Sequence, residues 1–248
     1  FDPSLFEGVD AIVYLAAISN DPMGNLFEDV TMDINYSAAI KMAKAGKERG
    51  VKSFVFASSC SVYGLADEHA KVETDALNPL TAYARSKIAA ETDLEPLAGN
   101  DFTVTCLRFA TACGFSNRLR LDLVINDFVA GAVTSKKIDI LSDGTPWRPL
   151  INVFDMAMAI EWAIERNPKT GSDFLAINAG SSEWNYQVKE LADVVAEIVK
   201  GCKVSVNPDA PPDKRSYKVN FDLFKKLAPN HQPQFDLKST VVTLVDNL

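Results

Sequence analysis

Apolar and polar positions alternate in blocks along the first half of the chain. Ala11-Ile12-Val13-Tyr14-Leu15-Ala16-Ala17 is a short apolar run with β-branched residues, as a buried parallel strand would be. Helical periodicity follows from about Phe27 to Arg49, with Gly50 as a stop signal. Ser53-Phe54-Val55-Phe56-Ala57-Ser58 is a second buried strand. A polar loop containing Pro79 leads to a helix over 82–97, and Phe102–Arg108 reads as a third strand. The βαβαβ order predicts an open parallel sheet with helices on both faces.

The second half is more mixed. The pattern predicts a helix over 122–135 and short strands at 138–141 and 150–153. It predicts a helix capped by Asp155 and running to Arg166, and one capped by Asn185 and running to about Val199. Phe174–Ile177 and Cys202–Val206 are strand-like, and a short helix is expected at 221–227. Pro208, Pro211 and Pro212 mark a loop. Shorter elements after Arg108 suggest a small lobe built on the C-terminal edge of the sheet.

Composition narrows the classes. The chain has 248 residues, 47% of them hydrophobic and 23% charged, enough to form a sizeable core and unlike a disordered chain. A formal net charge of −8 argues against nucleic acid and anionic membrane as partners. No apolar run approaches the roughly 20 residues that span a bilayer. The opening Phe1-Asp2-Pro3-Ser4 has no signal-peptide pattern, so a cytoplasmic protein is expected. Cys60, Cys106, Cys113 and Cys202 are scattered, which fits buried reduced thiols better than a disulfide scaffold or a zinc site. With only His69 and His231 in the chain, a histidine triad and a metal site are both disfavoured.

Candidate chemistry concentrates in one βα unit. Tyr83 and Lys87 stand four residues apart, so on a helix they share a face. A nearby cation favours phenolate over phenol, which suits a base for an alcohol proton. A surface helix with an incidental Tyr and Lys is the alternative. Ahead of it, Ser58-Ser59-Cys60-Ser61-Val62-Tyr63-Gly64 places serines just past a predicted parallel strand. Sites in open α/β sheets lie at such strand ends. There a hydroxyl can meet a substrate oxygen, or it can satisfy loop backbone groups.

With these residues in order, the sequence resembles the extended short-chain dehydrogenase/reductases, in particular the NAD-dependent nucleotide-sugar epimerase/dehydratase group. The resemblance runs from Val9 onward through Val13–Ala17, Asp33-Ile34-Asn35, the segment ending in Tyr63-Gly64, Tyr83-x-x-x-Lys87 and Leu107–Thr111. It continues with Ser142–Pro149 and Asp155. It implies a Rossmann-like, doubly wound parallel α/β sheet with a small C-terminal α/β substrate lobe. Residues 1–115 would form part of the dinucleotide-binding domain, and 116–248 mainly the lobe, with some segments returning to the sheet.

The resemblance also implies roles. Ser59, Tyr83 and Lys87 would be catalytic, with Tyr83 as acid/base and Lys87 also bonding the nicotinamide ribose. Leu15, Ala16, Ala17, Asn35, Ser58, Phe109 and Thr111 would join Tyr83 and Lys87 around the cofactor. Arg148 would hold a substrate diphosphate, with Arg215 as a second contact, because a guanidinium fork donates two hydrogen bonds at once. Arg118, Arg120 and Asn126 would lie in the substrate-binding loop and helix, with surface salt bridging as the equal alternative. NAD is the implied cofactor, with NADP not excluded, and a homodimer is implied through the Tyr83 helix and the helix over 27–49.

Two departures shape the expectation. No Gly-x-x-Gly-x-x-Gly run, which would cradle the cofactor pyrophosphate, occurs in the 248 residues. The first strand corresponds to the family's fourth, so about 60 residues, roughly two βα units, are expected to precede it in a longer parent enzyme. Cys60 and Ser61 stand where the family's 4,6-dehydratases carry an Asp-Glu pair, which disfavours dehydration. The expected function is therefore a nucleotide-sugar epimerase acting at C4. The alternatives are an NADP-dependent keto-sugar reductase and a non-catalytic binding protein on the same fold.

Overall fold

A computed structural model describes residues 2–64, 69–207, 210 and 216–248. The chain opens with β1 (Ala11–Tyr14), α1 (Asp21–Leu26) and α2 (Glu28–Met32). A π-helical turn (Asp33–Ser37) joins α2 to α3 (Ala38–Glu48). Then come β2 (Ser53–Ser59), a 3₁₀ turn (Cys60–Tyr63), α4 (Ala82–Leu94), β3 (Thr103–Phe109) and β4 (Thr111–Cys113). The remainder is α5 (Val124–Ser135), β5 (Lys137–Ile140), β6 (Trp147–Asn152), α6 (Val153–Glu165), β7 (Phe174–Ala179) and β8 (Asn185–Gln187), followed by α7 (Val188–Ile198), β9 (Lys203–Val206), α8 (Asp222–Leu227) and α9 (Leu237–Asn247).

The main sheet has the order β1-β2-β3-β7, and every pair in it is parallel. Its register sets Val13 beside Val55, Phe56 beside Cys106 and Leu107 beside Ile177. Alternation along the strands divides the core. Ile12, Tyr14, Phe54, Phe56, Val104 and Cys106 face α3 and α4, where they meet Ala39, Ala43, Ala90 and Leu94. Val55, Leu107 and Ile177 face the other way, onto Trp162 of α6 and Phe224 of α8. Both faces of the sheet are thus covered, which is why its strands read as continuous apolar runs. This is the doubly wound, Rossmann-like arrangement.

The later elements build a second core. β4, β6 and β8 form a three-stranded sheet, and β5 pairs with β9. Ile125, Val129, Leu191, Val195, Val241 and Leu244 from α5, α7 and α9 pack together there.

Several local expectations shift. The first strand ends at Tyr14 rather than at residue 17, and among the described residues it pairs only with β2. Asn152, not Asp155, caps α6, accepting from Phe154 N at 3.0 Å. Asp155 is buried in the first turn and accepts from Gln234 N instead. Asn185 does not cap α7, because residues 185–187 pair with Pro149, Arg148 and Trp147 as a strand. The helix starts three residues later, where Gln187 N donates to Glu190 at 2.7 Å. Pro208, Pro211, Pro212 and Arg215 lie outside the described residues. Among those described, no helix is long and apolar enough to cross a membrane.

Candidate active site

The carboxyl ends of β1, β2 and β3 open into a cleft of about 1220 Å³. Its wall includes Leu15, Ala17, Ser58, Ser59, Tyr83, Lys87, Phe109, Thr111, Arg120 and Arg148. The three residues expected to be catalytic therefore line one cleft. Ala16, Asn35, Arg118 and Asn126 do not line it.

Ser59 ends β2 and starts the 3₁₀ turn, accepting from Ser61 N at 3.1 Å. With its oxygen engaged as an acceptor, the hydroxyl proton remains available for donation. Ser58, one residue earlier, points to the opposite face of the strand, as pleating requires. Its hydroxyl donates to Glu91 at 2.5 Å and is thus engaged inside the protein.

Tyr83 and Lys87 lie on α4, which Thr81 caps by accepting from Ala84 N at 3.2 Å. Lys87 is only 2% exposed and donates to Ala57 O at 2.7 Å. Its ammonium sits 4.6 Å from the Phe56 ring centre and 5.3 Å from that of Tyr83. Burial pulls its pKa down to about 8, opposed by the nearby Cys106 and Glu91. An ammonium has three N–H donors, so the single carbonyl leaves capacity for another oxygen in the cleft.

Asn35 is fully buried beneath the loop after β1. It accepts from Ile18 N at 2.8 Å and donates to Ile18 O at 3.0 Å and to Ser86 Oγ at 3.1 Å. It thus ties that loop to α4. The π-turn that carries it also presents Ile34 O to the Tyr14 hydroxyl at 2.5 Å.

Also lining the cleft, Arg120 makes two bonds to Asp122 and one to Ser19 Oγ at 2.7 Å, while Asn20 donates to Asp122 at 2.8 Å. The Arg120 guanidinium holds the Asp122 carboxyl well below the usual carboxylate range. Asn126 is buried and anchors this loop from beneath, donating to Arg120 O at 3.0 Å and accepting from Gly114 N at 3.1 Å. Burial alone accounts for the raised carboxyl pKa of Asp155, against two backbone donors that lower it.

Sequence reasoning missed the charged layer under the serines. Arg108 donates through Nε and Nη2 to Glu91, at 3.1 and 2.6 Å, and through Nη1 to the Tyr63 hydroxyl at 3.1 Å. Two signals could have found it. Glu91 extends the Tyr83–Lys87 spacing by one more turn, and Arg108 interrupts an apolar strand.

Against this geometry, the profile of the NAD dependent epimerase/dehydratase family matches residues 4–180. The chain is a member of that family. It is 30% identical over 209 residues to the uncharacterized UDP-glucose epimerase YtcB of Bacillus subtilis, covering 82% of this chain and 63% of the relative. It is 25% identical over 252 residues to a putative UDP-glucose 4-epimerase of Methanocaldococcus jannaschii, covering 97% of this chain and 77% of that one. The chain thus spans less than two thirds of the first relative's length. Among solved structures, MoeE5 in complex with UDP-glucuronic acid and NAD superposes with a TM-score of 0.85 at 23% identity, covering 98% of this chain and 80% of MoeE5. That likeness establishes the family fold.

The residues present fit one half of a dinucleotide. Lys87 with its spare donors, the Phe109 ring and the small Ala17 and Ala57 suit a nicotinamide and its ribose. The glycine run that would hold the pyrophosphate is not among the 248 residues.

Proposed function

We propose that the protein is an NAD-dependent nucleotide-sugar epimerase acting at C4, with UDP-sugars as the first substrates to test. The observation that carries this reading is the shared cleft, which Ser59, Tyr83 and Lys87 line together with Phe109 and Arg148. The UDP-glucose epimerases among its relatives support the substrate class.

When bound, NAD supplies the two-electron chemistry, accepting hydrogen from the sugar carbon and returning it. Tyr83 takes the proton of the reacting hydroxyl and later gives it back. The Lys87 ammonium beside the Tyr83 ring favours the phenolate that this requires. Ser59 donates to the same sugar oxygen. Arg148 holds the diphosphate and Arg120 lines the same cleft; Arg215, proposed as a second diphosphate contact, lies outside the described residues. The keto sugar turns between the two half-reactions, so the product differs in configuration at one carbon. Residues 116–248 supply most of the substrate-binding lobe. Homodimerisation through α4 and the helical stretch over 27–49 is part of the proposal, supported by exposed Phe27 and Val30 on that stretch and exposed Met23 and Leu26 just before it.

The test is conversion of a UDP-, GDP-, CDP- and dTDP-sugar panel by the parent enzyme and by Tyr83→Phe. The expected result is epimerisation of at least one sugar without net change in nicotinamide absorbance. Tyr83→Phe should lower kcat by about 10³-fold, within the range for a lost acid/base group. Stoichiometric loss of reduced cofactor would instead support a keto-sugar reductase. Turnover that survives Tyr83→Phe would overturn the mechanism.

A further inference from the structure

Beneath the cleft lies a buried charge pair that the reaction itself does not call for. Glu91 and Arg108 are each 5% exposed and meet at 2.6 Å. Taking two charges out of water is expensive, and an apolar pair of similar volume is often at least as stable. Stability is therefore a poor reason for this pair to be here.

Apart from one bond from Arg108 Nη1 to Glu73 O at 3.1 Å, its remaining bonds reach one short stretch. Ser58 Oγ donates to Glu91 at 2.5 Å. Cys60 Sγ donates to Arg108 O at 3.1 Å. Arg108 Nη1 donates to the Tyr63 hydroxyl, which donates onward to Asn178 Oδ1 at 2.7 Å. The segment is thus held on both sides of Ser59 and again at its end.

The other half of the argument is α4. Tyr83, Lys87 and Glu91 are spaced by four, so they lie on one face of a single rigid helix. Eight residues of helix separate Tyr83 from Glu91 by about 12 Å along the axis. The helix therefore carries the base at one point and grips the serine segment at another. Lys87 adds a third tie, to Ala57 O at the end of β2.

We propose that the Glu91–Arg108 pair is a positioning device that fixes the serine segment against α4 and so places the Ser59 hydroxyl for the oxygen that Tyr83 deprotonates. This rests on the epimerase reading above. Glu91 and Arg108 are positioning residues, acting through the side chains of Ser58 and Tyr63. Placement within about 0.5 Å is what such a site needs, and a small misplacement can cost orders of magnitude in rate.

Ser58→Ala is the decisive variant, because it cuts the tie while leaving the ion pair intact. In the parent enzyme on its best nucleotide sugar, kcat should fall about 10-fold, the scale for losing a hydrogen bond to a charged group. KM and NAD affinity should stay within about twofold, since the Ser58 hydroxyl is spent on Glu91 rather than on either ligand. In a Ser59→Ala background, Ser58→Ala should change kcat less than about twofold, because residues acting as a unit are not additive. Equal losses in both backgrounds, or a loss confined to NAD affinity, would overturn the proposal. Crystal structures of Ser58→Ala and Glu91→Gln give a readout that needs no turnover. The Ser59 Oγ should move relative to Tyr83 by about 0.5 Å or more, and an unmoved Ser59 would overturn the proposal. If the unmodified enzyme converts no sugar, the epimerase reading fails, while the Ser59 displacement still decides the positioning role.

Discussion

Gly64 closes the serine segment, and replacing it with alanine tests the geometry on which the site depends. Its backbone has φ +62° and ψ −124°, a conformation that costs a side-chain-bearing residue roughly 1–3 kcal/mol. A Cβ there would stand 1.8 Å from Asn78 O and 3.0 Å from Asn78 C, both backbone atoms, and 3.2 Å from Leu80 Cγ. Relief requires the Asn78 peptide to retreat by more than about 1 Å, given that non-bonded atoms settle near 3.5 Å. That retreat strains the bond from Asn78 N to Val62 O, now 2.9 Å, worth about 1 kcal/mol net. With overpacking added, Gly64→Ala should cost about 4 kcal/mol or more. That is a large share of the roughly 5–15 kcal/mol that holds a domain together.

Two further glycines separate the terms. Gly50 has φ +83° with nothing within 4 Å of an added Cβ, so Gly50→Ala should cost only about 1 kcal/mol, the left-handed backbone penalty. Gly99 meets nothing within 4 Å and lacks a positive φ, so Gly99→Ala should be neutral or slightly stabilising. Guanidinium unfolding of the three variants, fitted with a shared m-value, gives the comparison. If Gly64→Ala costs no more than Gly50→Ala, the close approach of Asn78 to the serine segment does not exist and the site geometry built on it falls.

Other expectations follow from single groups. Lys87 has a folded pKa near 8 against a reference of 10.5. Between those values the unfolded chain holds a proton that the folded chain has released, so stability should rise with pH across the window. Relative to Lys87→Met, the native protein should gain on the order of 2 kcal/mol in urea unfolding between pH 7.5 and pH 10, and a flat difference would refute a buried ammonium. Burial pushes the Cys60, Cys106 and Cys113 thiols up, while Cys202 is partly exposed. Iodoacetamide at pH 8 should therefore mark Cys202 alone until the chain is unfolded, as read by intact mass. Ser53 Oγ is buried without a hydrogen-bond partner. Ser53→Ala should raise Tm by about 2–4 °C, the shift for roughly 1 kcal/mol in a chain of this size, and a fall would show that the hydroxyl has a partner after all.

The main sheet was legible because burial on both faces leaves mostly apolar runs, as in Phe54–Phe56 and, with only Thr105 intervening, Val104–Leu107. The shared face of Tyr83 and Lys87 followed from helical spacing alone. The lobe was harder. Asn152 and Asp155 are both good caps, and only the pull of Gln234 and Phe235 N on Asp155 decides between them. Asn185 is a reasonable cap in sequence, but pairing of β8 with β6 claims it first. The final helix, α9, is rich in valine and threonine, which favour strands, yet Leu237, Val241 and Leu244 line one stripe and bury against α5 and α7. There packing overrides propensity. Arg118, Arg120 and Asn126 looked alike in sequence and differ in structure. Only Arg120 lines the cleft, while Asn126 holds its backbone from below.

The charges around the cleft divide by burial, and the division matches what each side must do. Under Ser59 the Glu91–Arg108 pair is nearly sealed from water, and removing either partner would leave an uncompensated buried charge costing about 3–5 kcal/mol. That wall has every reason to stay in one arrangement. The Arg120–Asp122 pair, also at the cleft, is 39% and 37% exposed in its side chains, where an ion pair is worth about 0–1 kcal/mol. Its bonds to Ser19 and Asn20 join the loop after β1 to the loop before α5 with only that modest hold. The buried Asn126 bonds keep the root of the latter loop fixed. On the proposed reading, a cleft that admits a nucleotide sugar and lets a keto sugar turn needs a stiff wall beneath the reacting atoms and a more lightly held loop at its rim, and the two charge pairs differ in that sense.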